Sequence, residues 1–372
     1  MTESFQIVLV GGQLLPVALG LKEFPQDKII LISTRESQTK LNFIRPFVKE
    51  RLQKELTCNP FDFESVYTCL SNSLNVIPDS HQVKINLTGG TKIMLLAAQK
   101  ILTERNVTGF YINQDNSLIE IPAFRVKELA ATLTAVEFFR LSGHQLSTYR
   151  KISDFEEADL QAAEALYNFS LQNWKIYSSI SNFLYQLDKQ QRPIPSSATY
   201  VINPSLKVIW TDNTVTIKSF DKEIFNHSSK HIQNLFFKTG WWELFVATKT
   251  NKWKGAKEIF LQAELPFKAN NSLTKNEIDI LVNLGSKLLF IECKSGTVKN
   301  EDINKMKVIR DTYGGAIAKS ILVTKYTPPQ NIFEKCQELG IEVYDVFRGK
   351  FKKNDLDRFP NFLDKVAKKL SI

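Results

Sequence analysis

Asp279, Glu292 and Lys294 stand where charge is least expected. The stretch NEIDILVNLGSKLLFIECKSG, residues 276–296, reads as two apolar strands joined by an Asn-Leu-Gly-Ser turn. Asp279 lies inside the first strand, and Glu292 and Lys294 lie at the end of the second. Buried strands exclude charged side chains unless these are paired or bind a metal. Residues two apart in a strand share a face, about 7 Å apart along it. Glu292 and Lys294 therefore point one way and Cys293 the other, and in a hairpin Asp279 can come level with Glu292. Two carboxylates facing each other repel strongly unless a cation lies between them. Oxygen donors of this kind suit Mg²⁺ or Mn²⁺ better than zinc. A salt bridge in which Lys294 neutralises the acids fits the same letters, and exposed pairs of that sort contribute little. The apolar company of the acids, IDILV and LLFIECK, speaks against a solvated face. Upstream, Gly240-Trp241-Trp242-Glu243 supplies one more carboxylate on a helical segment, while Glu277, on the face of Asp279, is expected at the rim.

A second group of residues suits a different chemistry. VKINLTGGTKIMLLAAQKIL, residues 83–102, sets Thr88-Gly89-Gly90-Thr91 between a strand and a helix, with Lys92 at the same rim. Gly-Gly lets backbone amides approach a ligand closely, and hydroxyls at a helix N-terminus hold phosphate or ribose oxygens. VGGQLL at 10–15 follows the first strand and Ser33-Thr34 the second, so the three loops share one edge of a parallel sheet. None of them is a Walker A or a Gly-x-Gly-x-x-Gly sequence. An ordinary tight turn with Thr88 as helix cap fits the letters as well.

The elements that must position these residues follow from periodicity. With 372 residues the chain has room for two domains and a smaller connecting piece. Apolar runs at 5–10, 28–33, 82–87 and 108–113 predict strands, and segments 13–23, 37–55 and 91–103 predict helices. That alternation predicts a parallel Rossmann-type α/β sheet, whose ligands bind beyond the carboxyl ends of its strands. Residues 154–187 read as helical, the polar DKQQRPIPSS as a loop, and 206–211 and 214–220 as β-like. From 229 on, a helix over SKHIQNLFFKTGWWELFVATKTN precedes strands near 257–264, 277–283 and 287–293. Helices near 301–312 and 329–338 then alternate with strands KSILVT and IEVYDV, and FPNFLDKVAKKL reads as a closing helix. Gly314-Gly315 is expected to cap the helix before KSILVT, and His227 and His231 pair only if one helix holds both.

Charge and cysteine content narrow the partners. Residues 1–230 carry 24 Lys/Arg and 23 Asp/Glu, whereas residues 231–372 carry 24 and 16, so the positive excess of the chain lies in its C-terminal part. A basic region favours a polyanion, although a solvated surface carries the same signature. Cys58, Cys69, Cys293 and Cys336 form no Cys-x-x-Cys pair, so neither a zinc site nor a disulfide framework is expected. The apolar start, FQIVLVGGQLLPVALGL, has no basic leader and is broken by glycines and Pro16, which reads as strand, turn and helix and not as a signal peptide. With no apolar run long enough for a membrane span, a cytoplasmic protein is expected.

Two resemblances join these readings. VGGQLLP and above all NLTGGTKIM resemble the CRISPR-associated Rossmann fold (CARF) sensor domain over residues 1–147. The resemblance implies a homodimer that binds cyclic oligoadenylate across its two-fold axis. Gly12, Gln13, Ser33, Thr34, Asn86, Thr88, Gly89, Gly90, Thr91 and Lys92 would then line the pocket, the TGGTK positions being the firmest. The Glu243 helix, NEIDILV, FIECKSG and the helix after them resemble the PD-(D/E)xK restriction-endonuclease-like superfamily, with Ile-Asp in place of Pro-Asp. That implies Asp279 and Glu292 as ligands of Mn²⁺ or Mg²⁺, with the Cys293 carbonyl and Glu243 as further candidates. Lys294 would orient or deprotonate the attacking water, which completes a catalytic set of Glu243, Asp279, Glu292 and Lys294. The nuclease domain is expected over 229–372, with a connector or small subdomain at 148–228. Together the two resemble CARF-nuclease effectors of type III CRISPR systems, in the group activated by cyclic tetra-adenylate. Single-stranded DNA and RNA are the implied substrates, and nicking of duplex DNA is compatible with them. A ligand-responsive nucleic-acid-binding regulator that does not cut, and a metabolic nucleotide enzyme using the TGGT loop, are the alternatives.

Overall fold

Burial on both faces of its first strand organises the N-terminal part of the molecule. In β1 (Ser4–Val10), Phe5, Ile7 and Leu9 enter one apolar cluster with Ile30, Val66, Ile85 and Ile101. Val8 and Val10 enter another with Leu31, Ile44 and Phe110. A strand buried on both sides is the mark of a parallel sheet covered by helices. The computed structural model describes residues 3–113, 115, 117–189, 193–266, 274–314, 318–348, 351–352 and 354–370. They fall into two units, Met1–Leu146 with Gly285–Leu288 and Ala367–Ile372, and Ser147–Leu284 with Leu289–Val366.

In the first unit, α1 (Leu15–Glu23), β2 (Lys28–Ser33), α2 (Leu41–Val48), β3 (Leu52–Thr57) and α3 (Phe63–Asn75) follow β1. Next come β4 (Gln82–Asn86), α4 (Lys92–Arg105), β5 (Thr108–Ile112), β6 (Ser117–Ile121), β7 (Arg125–Glu128) and α5 (Ala135–Leu141). The sheet order is β3-β2-β1-β4-β5-β6-β7. Strands β1 to β5 run parallel, while β6 and β7 are antiparallel. From β1 the chain moves one way to β2 and the other way to β4, which makes the carboxyl ends of β1 and β4 a switch point where ligands bind. The helix expected over 37–55 is shorter. Its α-helical part ends at Val48, and Leu52–Thr57 pair with β2 as an edge strand. Gln53, Lys54 and Glu55 hide that strand from a hydropathy reading, because an edge strand is free to be polar.

The second unit opens with α6 (Glu157–Gln172) and α7 (Trp174–Lys189), then an antiparallel sheet. Its strands β8 (Ala198–Asn203), β9 (Leu206–Thr211), β10 (Thr214–Ser219) and β11 (Lys222–Ser228) stand in the order β11-β10-β9-β8. Then follow α8 (Ile232–Phe237), α9 (Gly240–Asn251) and a six-stranded sheet in sequential order. That sheet consists of β12 (Glu258–Pro266), β13 (Thr274–Asn283), β14 (Leu288–Lys294), β15 (Lys319–Tyr326), β16 (Ile341–Arg348) and β17 (Phe351–Lys352). Helices α10 (Asn300–Tyr313) and α11 (Gln330–Glu338) link the parallel strands β14, β15 and β16, and α12 (Phe359–Lys368) follows. Two expected single helices are each broken in two. Asn173 ends α6, and Thr239, at φ 56°, adopts a left-handed conformation that stops α8 before α9 begins. His227 lies in β11 and His231 caps α8, so no helix pairs them. Gly314 is the C-cap of α10, and Gly315 lies outside the described residues. Among the described residues no helix is long and apolar enough to cross a membrane.

Candidate functional site

Two buried tryptophans fix where Glu243 points. Trp241 and Trp242 begin α9 in the core, and the Trp242 indole N–H donates to the Val323 carbonyl at 3.3 Å. One residue on, the Glu243 carboxylate accepts from the Gln262 amide at 3.2 Å. Gln262 lies between the cross-strand pairs Leu261–Ile280 and Ala263–Ile278, opposite Asp279, and its φ of 51° is uncommon for a non-glycine residue. On β13, Asp279 accepts the Cys293 main-chain N–H at 2.7 Å, which holds it against β14. Glu292 is 5% exposed, and its Oε1 pairs with the Lys294 ammonium at 2.8 Å. Lys294 also reaches Asp302 Oδ1 at 3.3 Å, while Asp302 Oδ2 accepts the Lys299 main-chain N–H at 2.8 Å in a capping box at the start of α10. The expected hairpin thus brings Glu243, Asp279, Glu292 and Lys294 into one electrostatic group, with Glu277 exposed at its margin.

The charges in this group are under strain. Burial, reinforced by the charges of Glu277 and Glu292, pushes the Glu243 carboxyl up to about 7. Burial, then Glu292 and Glu243, raises Asp279 well above the ordinary carboxylate range. For Lys294, burial works against the charge, but the charge and hydrogen bond of Glu292 outweigh it and keep the ammonium protonated. Among the described residues no three His, Cys, Asp or Glu side chains are drawn close enough to hold a metal ion between them. Lys294 is the ammonium hydrogen-bonded to Glu292.

The other candidate site lies at the switch point of the first unit. A cavity of about 320 Å³ is lined there by Gly11, Gly12, Thr34, Glu36, Ser37, Lys40, Pro60, Phe61, Gly89, Gly90, Thr91 and Met94. Gly11 and Gly89 are required by packing. A Cβ on Gly11 would come within 1.7 Å of the Gly89 carbonyl oxygen, and one on Gly89 within 2.2 Å of that of Leu9. Thr91 caps α4, its hydroxyl accepting from Met94 N–H at 3.2 Å and donating to the Pro60 carbonyl at 2.7 Å. Of the ten residues expected here, Gly12, Thr34, Gly89, Gly90 and Thr91 line the cavity. Gln13 and Lys92 are exposed and do not line it. Three others face the backbone. Ser33 donates to Leu56, Asn86 binds Val17 and the Thr88 N–H, and Thr88 accepts from Ile112, so it is no helix cap.

Residues 5–138 match the family described as the Card1 CARF domain, and residues 231–359 match the Card1-like endonuclease domain. The chain belongs to the CARF-nuclease family. Its fold is shared by Can2 from Sulfobacillus thermosulfidooxidans, solved in complex with cyclic tetra-adenylate, at 18% identity, covering 98% of this chain and 96% of that one with a TM-score of 0.68. Protein VC1899 from Vibrio cholerae is 12% identical, with 99% and 98% covered and a TM-score of 0.74. A type III CRISPR defence DNA nuclease activated by cyclic oligoadenylate is 15% identical, with 99% of this chain and 52% of that one covered and a TM-score of 0.60. No curated protein matches the chain by sequence.

Several residues at the two sites escape a reading of the letters. In the endonuclease domain these are Gln262, Asp302 and Lys305. In the CARF domain they are Gly11, Glu36, Ser37, Lys40, Pro60, Phe61 and Met94. Phe61 is 77% exposed, and a large exposed aromatic beside a nucleotide-sized cavity is a signal that only the folded chain displays. Lys40 donates to the Gly12 carbonyl at 2.7 Å and so braces the glycine turn from the neighbouring loop.

Proposed function

We propose that this chain is a metal-dependent nuclease, switched on by a cyclic oligoadenylate such as cyclic tetra-adenylate, that hydrolyses phosphodiesters of single-stranded DNA and RNA with little sequence preference. The observation that carries it is Asp279 held against β14 by the Cys293 N–H, beside the Glu292–Lys294 pair and within the electrostatic reach of Glu243, in a chain with a CARF domain. A type III CRISPR defence role belongs to the same proposal, supported by the likeness to the cyclic-oligoadenylate-activated DNA nuclease.

The donor set fits a hard divalent cation. Asp279 and Glu292 offer oxygen ligands, with Glu243 and the Cys293 carbonyl as further candidates, and Mg²⁺ commonly needs only one or two carboxylates beside water. Burial first, and neighbouring carboxylates second, disfavour the charged forms of Glu243 and Asp279, and a bound cation would offset both effects. When bound, such an ion polarises the phosphoryl oxygen and makes water a better nucleophile. Lys294 serves as a cation, its ammonium paired with Glu292 and Asp302. It orients the attacking water and offsets the charge that builds on the phosphate.

The CARF cavity has room for part of a cyclic oligonucleotide, and a second copy of the chain supplies the rest in a homodimer. The ring acts by binding the competent arrangement of that dimer more tightly than the resting one. The test is incubation of a labelled single strand with Mn²⁺, with and without cyclic tetra-adenylate. Cutting should need both and stop with chelator. Retained binding of the strand without cutting would overturn the nuclease reading in favour of a regulator.

A further inference from the structure

Glu292 has a second lysine beside it. On α10, Asp302 and Lys305 are three residues apart and share a face. Asp302 reaches Lys294, whereas the Lys305 ammonium stands 4.0 Å from Glu292 Oε2. One carboxylate is therefore flanked by two cations, Lys294 on Oε1 and Lys305 on Oε2. The two are not equivalent. Lys294 is hydrogen-bonded to Glu292, engaged by Asp302 and only 28% exposed. Lys305 is 41% exposed, and its contact with Glu292 is longer than a hydrogen bond.

We propose that Lys305 binds a phosphate of the substrate strand next to the scissile one and so sets the position of the strand across the carboxylates. This rests on the nuclease reading above. A polyanion approaching the Glu292 carboxylate is repelled, and the charge of Lys294 is already answered by two acids. A second cation at the rim offsets that repulsion, and an ammonium on a flexible stem suits phosphate as a point charge. Lys305 transfers no proton. It is a positioning residue, and Lys307 is its natural control. Two residues further along α10, Lys307 is paired with Asp311 on the helix surface, so its removal changes net charge equally without touching Glu292.

The test uses the full chain with cyclic tetra-adenylate present, as wild type, Lys305→Ala, Lys305→Arg and Lys307→Ala. In chelator, anisotropy of a labelled single strand over a salt series should show Lys305→Ala binding about tenfold more weakly, with a salt slope smaller by about one. Lys305→Arg should restore most of the affinity, and Lys307→Ala should change neither quantity. With Mn²⁺, Lys305→Ala should raise KM about tenfold and leave kcat within about twofold, the signature of lost uniform binding. Unchanged strand affinity and KM in Lys305→Ala, while the wild type cuts, would overturn the assignment alone. A fall in kcat with affinity intact, or an equal loss in Lys307→Ala, would overturn it too. A wild type that cuts nothing would instead remove the nuclease reading and this proposal with it.

Discussion

At the strand ends of the CARF domain, Ser33, Asn86 and Thr91 are answered by backbone partners, whereas in the endonuclease domain charged groups are set against one another. Ser33 donates to a carbonyl, Asn86 bridges two backbone groups, and Thr91 both caps a helix and ties down Pro60. Gly11 and Gly89 pack so closely that no side chain fits between them. At the end of β14, by contrast, Glu243 and Asp279 are pushed toward protonation by burial and by their neighbours, and Lys294 pairs with Glu292 beside them. In the first arrangement the polar groups are already satisfied within the fold. In the second, burial and neighbouring acids disfavour the charged forms of Glu243 and Asp279.

That contrast predicts opposite responses to substitution. The largest effect is expected for Lys294→Ala. Losing a preorganised charge at the reacting phosphate should lower the rate of cutting by about a thousandfold, while affinity for cyclic tetra-adenylate, read by calorimetry, stays within about twofold. A variant that cuts normally would remove Lys294 from the chemistry. Next comes a pair in the glycine turn. Gly12→Leu should weaken ring binding about tenfold or more with an unchanged melting temperature, since a Cβ at Gly12 meets only the Lys40 ammonium at 3.8 Å. Gly11→Ala should instead destabilise the fold by about 2 kcal/mol or more through its clash with Gly89. Equal melting temperatures for the two variants would show that the turn is not packed as described.

The smallest effect separates stability from function. In the native state the Glu243 carboxyl titrates at about 7, against an ordinary value of 4.5. The folded protein therefore holds more protons than the unfolded chain between those values. The contribution of Glu243 to stability is present below that window and is lost as pH rises through it. In chelator at pH 8, Glu243→Gln should be more stable than wild type by about 1–2 kcal/mol, and the gap should close toward pH 4.5. A gap that persists at pH 4.5 would mean the carboxyl is not under charge strain. The same variant should cut poorly, which is the trade expected of a functional site.

The strands at 5–10 and 28–33 could be read from the letters because a buried parallel strand is a near-continuous apolar run, and burial is written in composition. Edge strand β3 could not, because four of its six residues are polar and only its pairing with β2 makes it a strand. Glu292 and Lys294 could be read for the opposite reason, since charge inside IDILV and FIECK needs an explanation. Asp302 and Lys305 sit in NEDINKMK, where charged residues on a helix surface explain themselves. Asn86, Thr88 and Ser33 show the converse. Their positions in the loops suited ligand contact, yet the fold spends their hydrogen bonds on its own backbone.

The sequence by itself determined the residue types at each strand end, the alternation of β and α, and the family to which both halves belong. Those are local properties, set by the period of a strand or helix and by the chemistry of single side chains. The tertiary structure decided which of them meet. Cross-strand register brought Gln262 opposite Asp279, the capping box of α10 placed Asp302 against Lys294, and the turn of α10 set Lys305 beside Glu292. Such contacts join residues on separate elements, and their distances depend on packing that no local period encodes.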